Sequence, residues 1–168
     1  EIIFTSGATE ANNLALLGLP NLRHIVTTNI EHASVLEVCK HLEKNKLASV
    51  TYVEVEENGI VSPLKIKKAL RPETTLVSVM YANNEIGTIQ PIKEIAKVIR
   101  HFQKLNPNSK ILLHTDAAQA VNYLDINTIK LGVDLMTIGS GKIYGPKGVG
   151  ALYVKRGVGI SKILHGGD

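Results

Sequence analysis

Ile111-Leu112-Leu113-His114 is followed at once by Thr115-Asp116-Ala117-Ala118-Gln119. The first four residues show no polar alternation, so both faces of a strand there must be covered. The next five supply a hydroxyl, a carboxylate and an amide at the end of that strand. Similar apolar runs occur at Ile2–Thr5, Ile25–Thr28, Val50–Val55, Leu76–Met80, Leu135–Ile138 and Ala151–Val154. Helical patterns separate most of them: Thr9–Leu17, Ser34–Lys46, Pro63–Leu70 and Ile92–Leu105. In the last of these, Ile92, Ile95, Ala96, Ile99 and Phe102 recur at helical spacing. Strands covered on both faces and alternating with helices predict an α/β fold with a mostly parallel sheet and helices on both faces. The loop before Ala151 is too short for a helical crossover, which predicts an antiparallel final strand.

In such sheets ligands bind beyond the carboxyl ends of the strands. Five loops at that edge are polar: Ser6–Glu10, Asn29–His32, Asn83–Gly87, Thr115–Gln119 and the stretch Gly139-Ser140-Gly141-Lys142-Ile143-Tyr144-Gly145-Pro146-Lys147-Gly148. Their shared placement carries more weight than any one of them.

The chain has 168 residues, 44% of them hydrophobic and 20% charged, with a formal charge of +4. This composition fits one soluble globular domain over residues 1–168. The sequence has no Trp and no basic run interleaved with aromatics, so nucleic acid is not an expected partner. No apolar run reaches the roughly 20 residues of a membrane span, and no secretory signal opens the chain. The single cysteine, Cys39, precludes an internal disulfide and fits a reducing, cytoplasmic compartment. The opening at Glu1-Ile2-Ile3-Phe4 and the close at His165-Gly166-Gly167-Asp168 read as a piece of a longer protein.

Gly141-Lys142 does not complete a phosphate-binding P-loop. The glycine required five positions before Gly141 is Met136, and the Ser or Thr required after the lysine is Ile143. A lysine behind an apolar strand and among small residues can be partly desolvated and act as an amine nucleophile. The alternative is a solvent-facing loop lysine, and Lys147 fits that description better. Ser6–Thr9 can form an anion site at a helix N-terminus, or an ordinary Ser/Thr cap. Asp116 can pair with a protonated ring nitrogen, or cap a following helix with Gln119 one turn on. His32 has no second ligand at helical spacing, so no metal site is expected. Cys39 lies on the apolar face of its helix and is expected to be buried and inert.

Taken together, Thr5-Ser6-Gly7-Ala8-Thr9-Glu10-Ala11-Asn12-Asn13-Leu14, Glu31-His32, Asn83-Asn84-Glu85-Ile86-Gly87, Asp116-Ala117-Ala118-Gln119 and Lys142-Ile143-Tyr144-Gly145-Pro146-Lys147-Gly148 resemble one family in order and spacing. It is the class V aminotransferase group of fold-type I pyridoxal phosphate enzymes, and within it the cysteine desulfurases of the NifS/IscS type. The resemblance spans essentially the whole chain, which would be part of the large domain, incomplete at both ends.

The resemblance implies roles. Lys142 would hold pyridoxal 5'-phosphate covalently and move the substrate Cα proton. Asp116 would pair with the pyridine nitrogen. His32 would stack on the ring and shuttle protons. Gln119 would bond the phenolic oxygen, with Asn84 nearby. Ala8 and Thr9 would bind the phosphate. Relatives carry Ser-x-His-Lys at the lysine loop, where the Ser and His touch the phosphate. Here Gly139 and Gly141 stand in those positions, with Ser140 as a partial substitute. His165-Gly166-Gly167 resembles the start of a His-Gly-Gly-Gly segment that Asp168 interrupts.

The family's catalytic cysteine, its substrate-carboxylate arginine and a phosphate-binding threonine from a partner subunit lie outside this chain, as do the family's first strand and helix. The implied reaction is removal of sulfur from L-cysteine, giving L-alanine and an enzyme persulfide for iron–sulfur cluster assembly or tRNA thiolation. The implied partners are a sulfur-acceptor or scaffold protein and a second copy in a homodimer. The alternatives are a selenocysteine lyase or other class V enzyme, and a cofactor-free remnant serving as a binding or scaffold module.

Overall fold

The computed structural model describes residues 1–166. Gly167 and Asp168, the end of the His-Gly-Gly comparison, lie outside the described residues. Seven strands form one sheet: β1 (Ile2–Thr5), β2 (His24–Thr28), β3 (Ser49–Val53), β4 (Thr74–Ser78), β5 (Leu112–Asp116), β6 (Leu135–Gly139) and β7 (Gly150–Val154). Their spatial order is β1-β7-β6-β5-β4-β2-β3. The β2–β3, β2–β4, β4–β5 and β5–β6 pairs are parallel, and β7 runs antiparallel to both β6 and β1. The expected antiparallel final strand is therefore present.

The strands are apolar on both faces because helices cover both. On one face α1 (Ala8–Leu17) and α2 (Ala33–Lys44) pack Ala11, Leu14, Ala15, Val35, Val38 and Cys39 against Ile25, Leu76, Leu135 and Leu152. On the other face lie α3 (Pro63–Ala69), α4 (Ile92–Leu105) and the short α5 (Thr128–Leu131). Ile92, Ile95, Ala96 and Ile99 form the buried stripe of α4. Each large apolar side chain so buried stabilises the fold by roughly 1.5–3 kcal/mol.

The sequence reading placed several boundaries differently. β3 ends at Val53, not Val55, and α2 ends at Lys44, where Asn45 caps it. β4 spans Thr74–Ser78, not Leu76–Met80, because its pairing with β2 runs from Thr74 opposite His24 to Ser78 opposite Thr27; Thr74 Oγ1 also lies 2.8 Å from His24 Nδ1, and Thr75 Oγ1 donates to the His24 carbonyl at 3.2 Å. α5 is a single turn capped by the Asn127 side chain and stopped by Gly132 in the left-handed region (φ 74°), too short for a periodic signal. Among the described residues, no helix is long and apolar enough to cross a membrane.

Candidate active site

A cavity of about 390 Å³ opens at the carboxyl ends of β1, β2, β4, β5 and β6. It is lined by Ser6–Glu10, His32, Ser34, Met80, Asn84, Asp116, Gln119, Gly139, Gly141, Lys142 and Lys147, among others. Of the expected site residues, Ala8, Thr9, His32, Asn84, Asp116, Gln119 and Lys142 all reach it. Ser140 does not. Its single O–H is shared between the carbonyls of Pro146 and Val149, the latter at 2.8 Å, and so ties the lysine loop to itself.

Lys142 ends a single 3-10 turn over Ser140–Lys142, directly after β6. The side chain is exposed on the cavity wall and makes no ion pair among the described residues. The desolvation expected from the apolar strand before it is not supplied by the chain itself. Lys147, read as a plain surface lysine, also lines the cavity.

Asp116 is the last residue of β5, not the first of a loop. Its Oδ1 accepts the Ala118 N–H at 2.9 Å and its Oδ2 accepts the Asn12 amide at 2.7 Å. The chain then turns without forming a helix, so the capping alternative fails and Gln119 reaches the cavity by a turn. Burial pushes the Asp116 carboxyl above its ordinary range, while the Ala118 and Asn12 bonds and the nearby His32 pull it back.

His32 caps α2. Its Nδ1 accepts the Ser34 N–H at 3.1 Å and lies 2.8 Å from Ser34 Oγ. Beneath it Glu31 is fully buried. Thr28 Oγ1 donates to its Oε1 at 2.6 Å, and the Met80 N–H donates to both carboxyl oxygens, 2.9 Å from Oε2. Burial outweighs those bonds and pushes Glu31 up to about 8.

At the N-terminus of α1 the first intrahelical bond runs from Ala11 N to Gly7 O at 3.1 Å. The N–H groups of Ala8, Thr9 and Glu10 precede it and have no helical acceptor, the arrangement that favours an anion. The expected Ser/Thr side-chain cap is not used, because the N-cap residue is Gly7. Instead Ser6 donates through N and Oγ to the Glu10 carboxylate at 2.7 and 2.6 Å, which holds Glu10 below its ordinary range.

Asn12, Ser34 and Glu31 were not singled out from sequence for any role. Their significance depends on partners that only the fold brings near. Asn83 holds the loop that carries Asn84: its Oδ1 accepts from the Glu85 and Ile86 N–H groups at 2.8 and 2.9 Å. Cys39 is buried and its thiol is pushed up to about 12 by burial, as an inert core residue should be. Among the described residues, no group of acids, His or Cys is placed to hold a metal.

Comparison with known proteins agrees with this geometry. The family "Aminotransferase class-V" matches residues 1–168, and the chain belongs to that family. A cysteine desulfurase IscS of Dictyoglomus turgidum is 48% identical over 99% of this chain and 42% of its own length. A mitochondrial cysteine desulfurase of Candida albicans is 46% identical over 89% of this chain and 30% of its own. A solved NifS-like protein superposes with a TM-score of 0.90 at 40% identity, covering 99% of this chain and 46% of that one. SspA in complex with cysteine gives 0.89 at 39%, covering 99% and 48%. The chain thus spans less than half the length of the curated relatives it matches. The fold is the large-domain fold of fold-type I pyridoxal phosphate enzymes, as the motif resemblance implied.

Proposed function

We propose that this chain is the cofactor-holding portion of a pyridoxal 5'-phosphate-dependent cysteine desulfurase that converts L-cysteine to L-alanine and passes the sulfur to a protein cysteine. One observation carries the reading. A single cavity gathers a primary amine, a buried carboxylate held by two N–H donors, an imidazole and an open helix N-terminus.

That donor set fits the cofactor: an amine for an aldehyde, a carboxylate for a ring nitrogen, and free N–H groups for a phosphate. When bound, pyridoxal phosphate supplies the electron sink for negative charge at the substrate Cα. Lys142 holds the aldehyde carbon through Nζ and moves the Cα proton. Asp116 would pair with the ring nitrogen and favour its protonated form. Ala8 and Thr9 bind the phosphate through backbone N–H groups. Gln119 and Asn84 orient the ring edge. His32, on the cavity wall, would face the ring and could handle a proton through Nε2.

Cys39 cannot take the sulfur, being buried with its thiol pushed up to about 12. The accepting cysteine therefore lies elsewhere in the protein. Relatives named as cysteine desulfurases, and a solved neighbour bound to cysteine, favour this substrate over selenocysteine or another amino acid. We further propose that the whole protein is a homodimer of a reducing, cytoplasmic compartment that hands sulfur to an acceptor or scaffold protein for iron–sulfur cluster assembly or tRNA thiolation.

Alanine release from L-cysteine by the full-length protein tests the reading. The expected result is stoichiometric alanine and persulfide, abolished in Lys142→Ala. Cofactor bound on Lys142 without alanine from cysteine would shift the assignment to another class V substrate. Absence of any cofactor binding would favour the scaffold alternative.

A further inference from the structure

Asn12 lies wholly buried on α1, and both hydrogens of its side-chain amide are committed. One goes to Asp116 Oδ2 at 2.7 Å, across 104 residues of sequence, and the other to Ser34 Oγ at 2.8 Å. Ser34 Oγ in turn lies 2.8 Å from His32 Nδ1. A backbone N–H is an obligatory donor, and that of Ser34 points at the same Nδ1 from 3.1 Å. His32 Nδ1 therefore carries a lone pair, and the neutral ring carries its proton on Nε2.

The remaining amide atom, Asn12 Oδ1, is buried with no hydrogen-bond partner among the described residues. Turning the amide over would not relieve this. It would set Oδ1 against Asp116 Oδ2 at the present 2.7 Å, acceptor facing acceptor. The orphaned oxygen is thus the consequence of an amide fixed by two acceptors, the Asp116 carboxyl oxygen and the Ser34 hydroxyl oxygen.

We propose that Asn12 is a positioning residue that joins the two arms of the site: it orients the Asp116 carboxyl group and, by donating to Ser34 Oγ, turns the Ser34 hydroxyl hydrogen onto His32 Nδ1 beside the backbone N–H that sets the Nε2–H tautomer. The proposal rests on the cofactor-site reading for its consequence, since it presents a carboxylate and an N–H of fixed orientation to opposite parts of one ligand. Its geometry belongs to the chain alone. Asp116 shares the cavity with His32, Glu10, Lys142 and Lys147 and lies near buried Glu31, and among the described residues none of these hydrogen-bonds to Oδ2.

The test uses purified protein without added cofactor, labelled in histidine nitrogens and aspartate carboxyls, and read by NMR. Wild type should show His32 as one tautomer with the proton on Nε2. Asn12→Leu keeps bulk and removes both donors. It should shift the His32 Nδ1 resonance, because the Ser34 hydroxyl loses the donor that fixes its direction, while the backbone N–H keeps the tautomer; it should also raise the titration midpoint of Asp116. A folded Asn12→Leu protein with both signals unchanged would overturn the proposal, because a merely structural role would lower thermal stability and move neither.

If Asn12→Leu does not fold, Ser34→Ala breaks one arm only. It should perturb the His32 ring nitrogens and leave the Asp116 midpoint in place, and an unperturbed His32 would overturn the relay. Failure of the cofactor reading is seen separately. A protein with the fixed tautomer that takes no cofactor on Lys142 keeps the relay and loses the site.

Discussion

Gly7 and Gly150 touch backbone to backbone: a Cβ on Gly150 would sit 2.6 Å from the Gly7 carbonyl carbon and 2.7 Å from its Cα. Gly150 opens β7 opposite Thr5, and Gly7 is the N-cap residue of α1. The missing side chain at 150 thus sets where the helix N-terminus lies relative to the sheet. Since the clashing atoms are backbone, Gly150→Ala should destabilise the fold by about 1–3 kcal/mol. At about 2–4 °C per kcal/mol for a chain of this size, the melting temperature should fall by several degrees. Gly141→Ala, which meets no atom within 4 Å, is the control and should leave it unchanged. Equal melting temperatures for the two variants would contradict the account.

The two glycines flanking Ser140 are not equivalent. A Cβ at Gly141 meets open space, whereas one at Gly139 meets Ala8 Cβ at 3.0 Å and Ala8 N at 3.3 Å. Gly141→His should therefore be accommodated beside the cavity and add a donor near the phosphate end. A hydrogen bond to a charged group contributes about 1.5–3 kcal/mol, so pyridoxal phosphate should bind roughly tenfold more tightly or better. Gly139→Ser must displace Ala8 and should gain less. Titration of cofactor absorbance checks both, and an unchanged Kd in Gly141→His would count against a phosphate at this end.

Glu31 gives the fold a pH dependence of definite sign. Burial raises it from about 4.5 to about 8, so the folded chain holds a proton that the unfolded chain has lost. The stability it contributes is fully present below about 4.5 and lost as pH rises through about 8. Asp116, also raised by burial, acts in the same direction. His114 is pushed down by burial from 6.5 to about 3, so its contribution is present above 6.5 and lost as pH falls through about 3. Glu31→Gln mimics the protonated acid. Its melting temperature should fall less than that of wild type between about pH 6 and 9. Parallel curves for the two proteins would contradict the assignment.

Much of this was legible in the sequence. The i, i+3, i+4, i+7 spacing of Ile92, Ile95, Ala96 and Ile99 gave α4 its observed bounds, and the unalternating strands gave a sheet covered on both faces. The loops at the carboxyl ends brought Lys142, Asp116, His32, Asn84 and Gln119 to one cavity as the pattern required. What stayed hidden depends on distance along the chain. Asn12 looks like one polar residue on a helix until Asp116, 104 positions away, is placed beside it. Ser140 has the right chemistry for an anion, but the turn that carries it points its hydroxyl at Pro146 and Val149. Single turns such as α5 fall below any periodic signal.

The central claim is that Lys142 is the residue that takes the cofactor. Its most direct test is to mix the purified protein with pyridoxal phosphate, record the visible band, reduce with borohydride and map the modified lysine by mass spectrometry. The account predicts one modified residue, Lys142, with both band and label lost in Lys142→Ala. No label, or label scattered over exposed lysines such as Lys147, would contradict it.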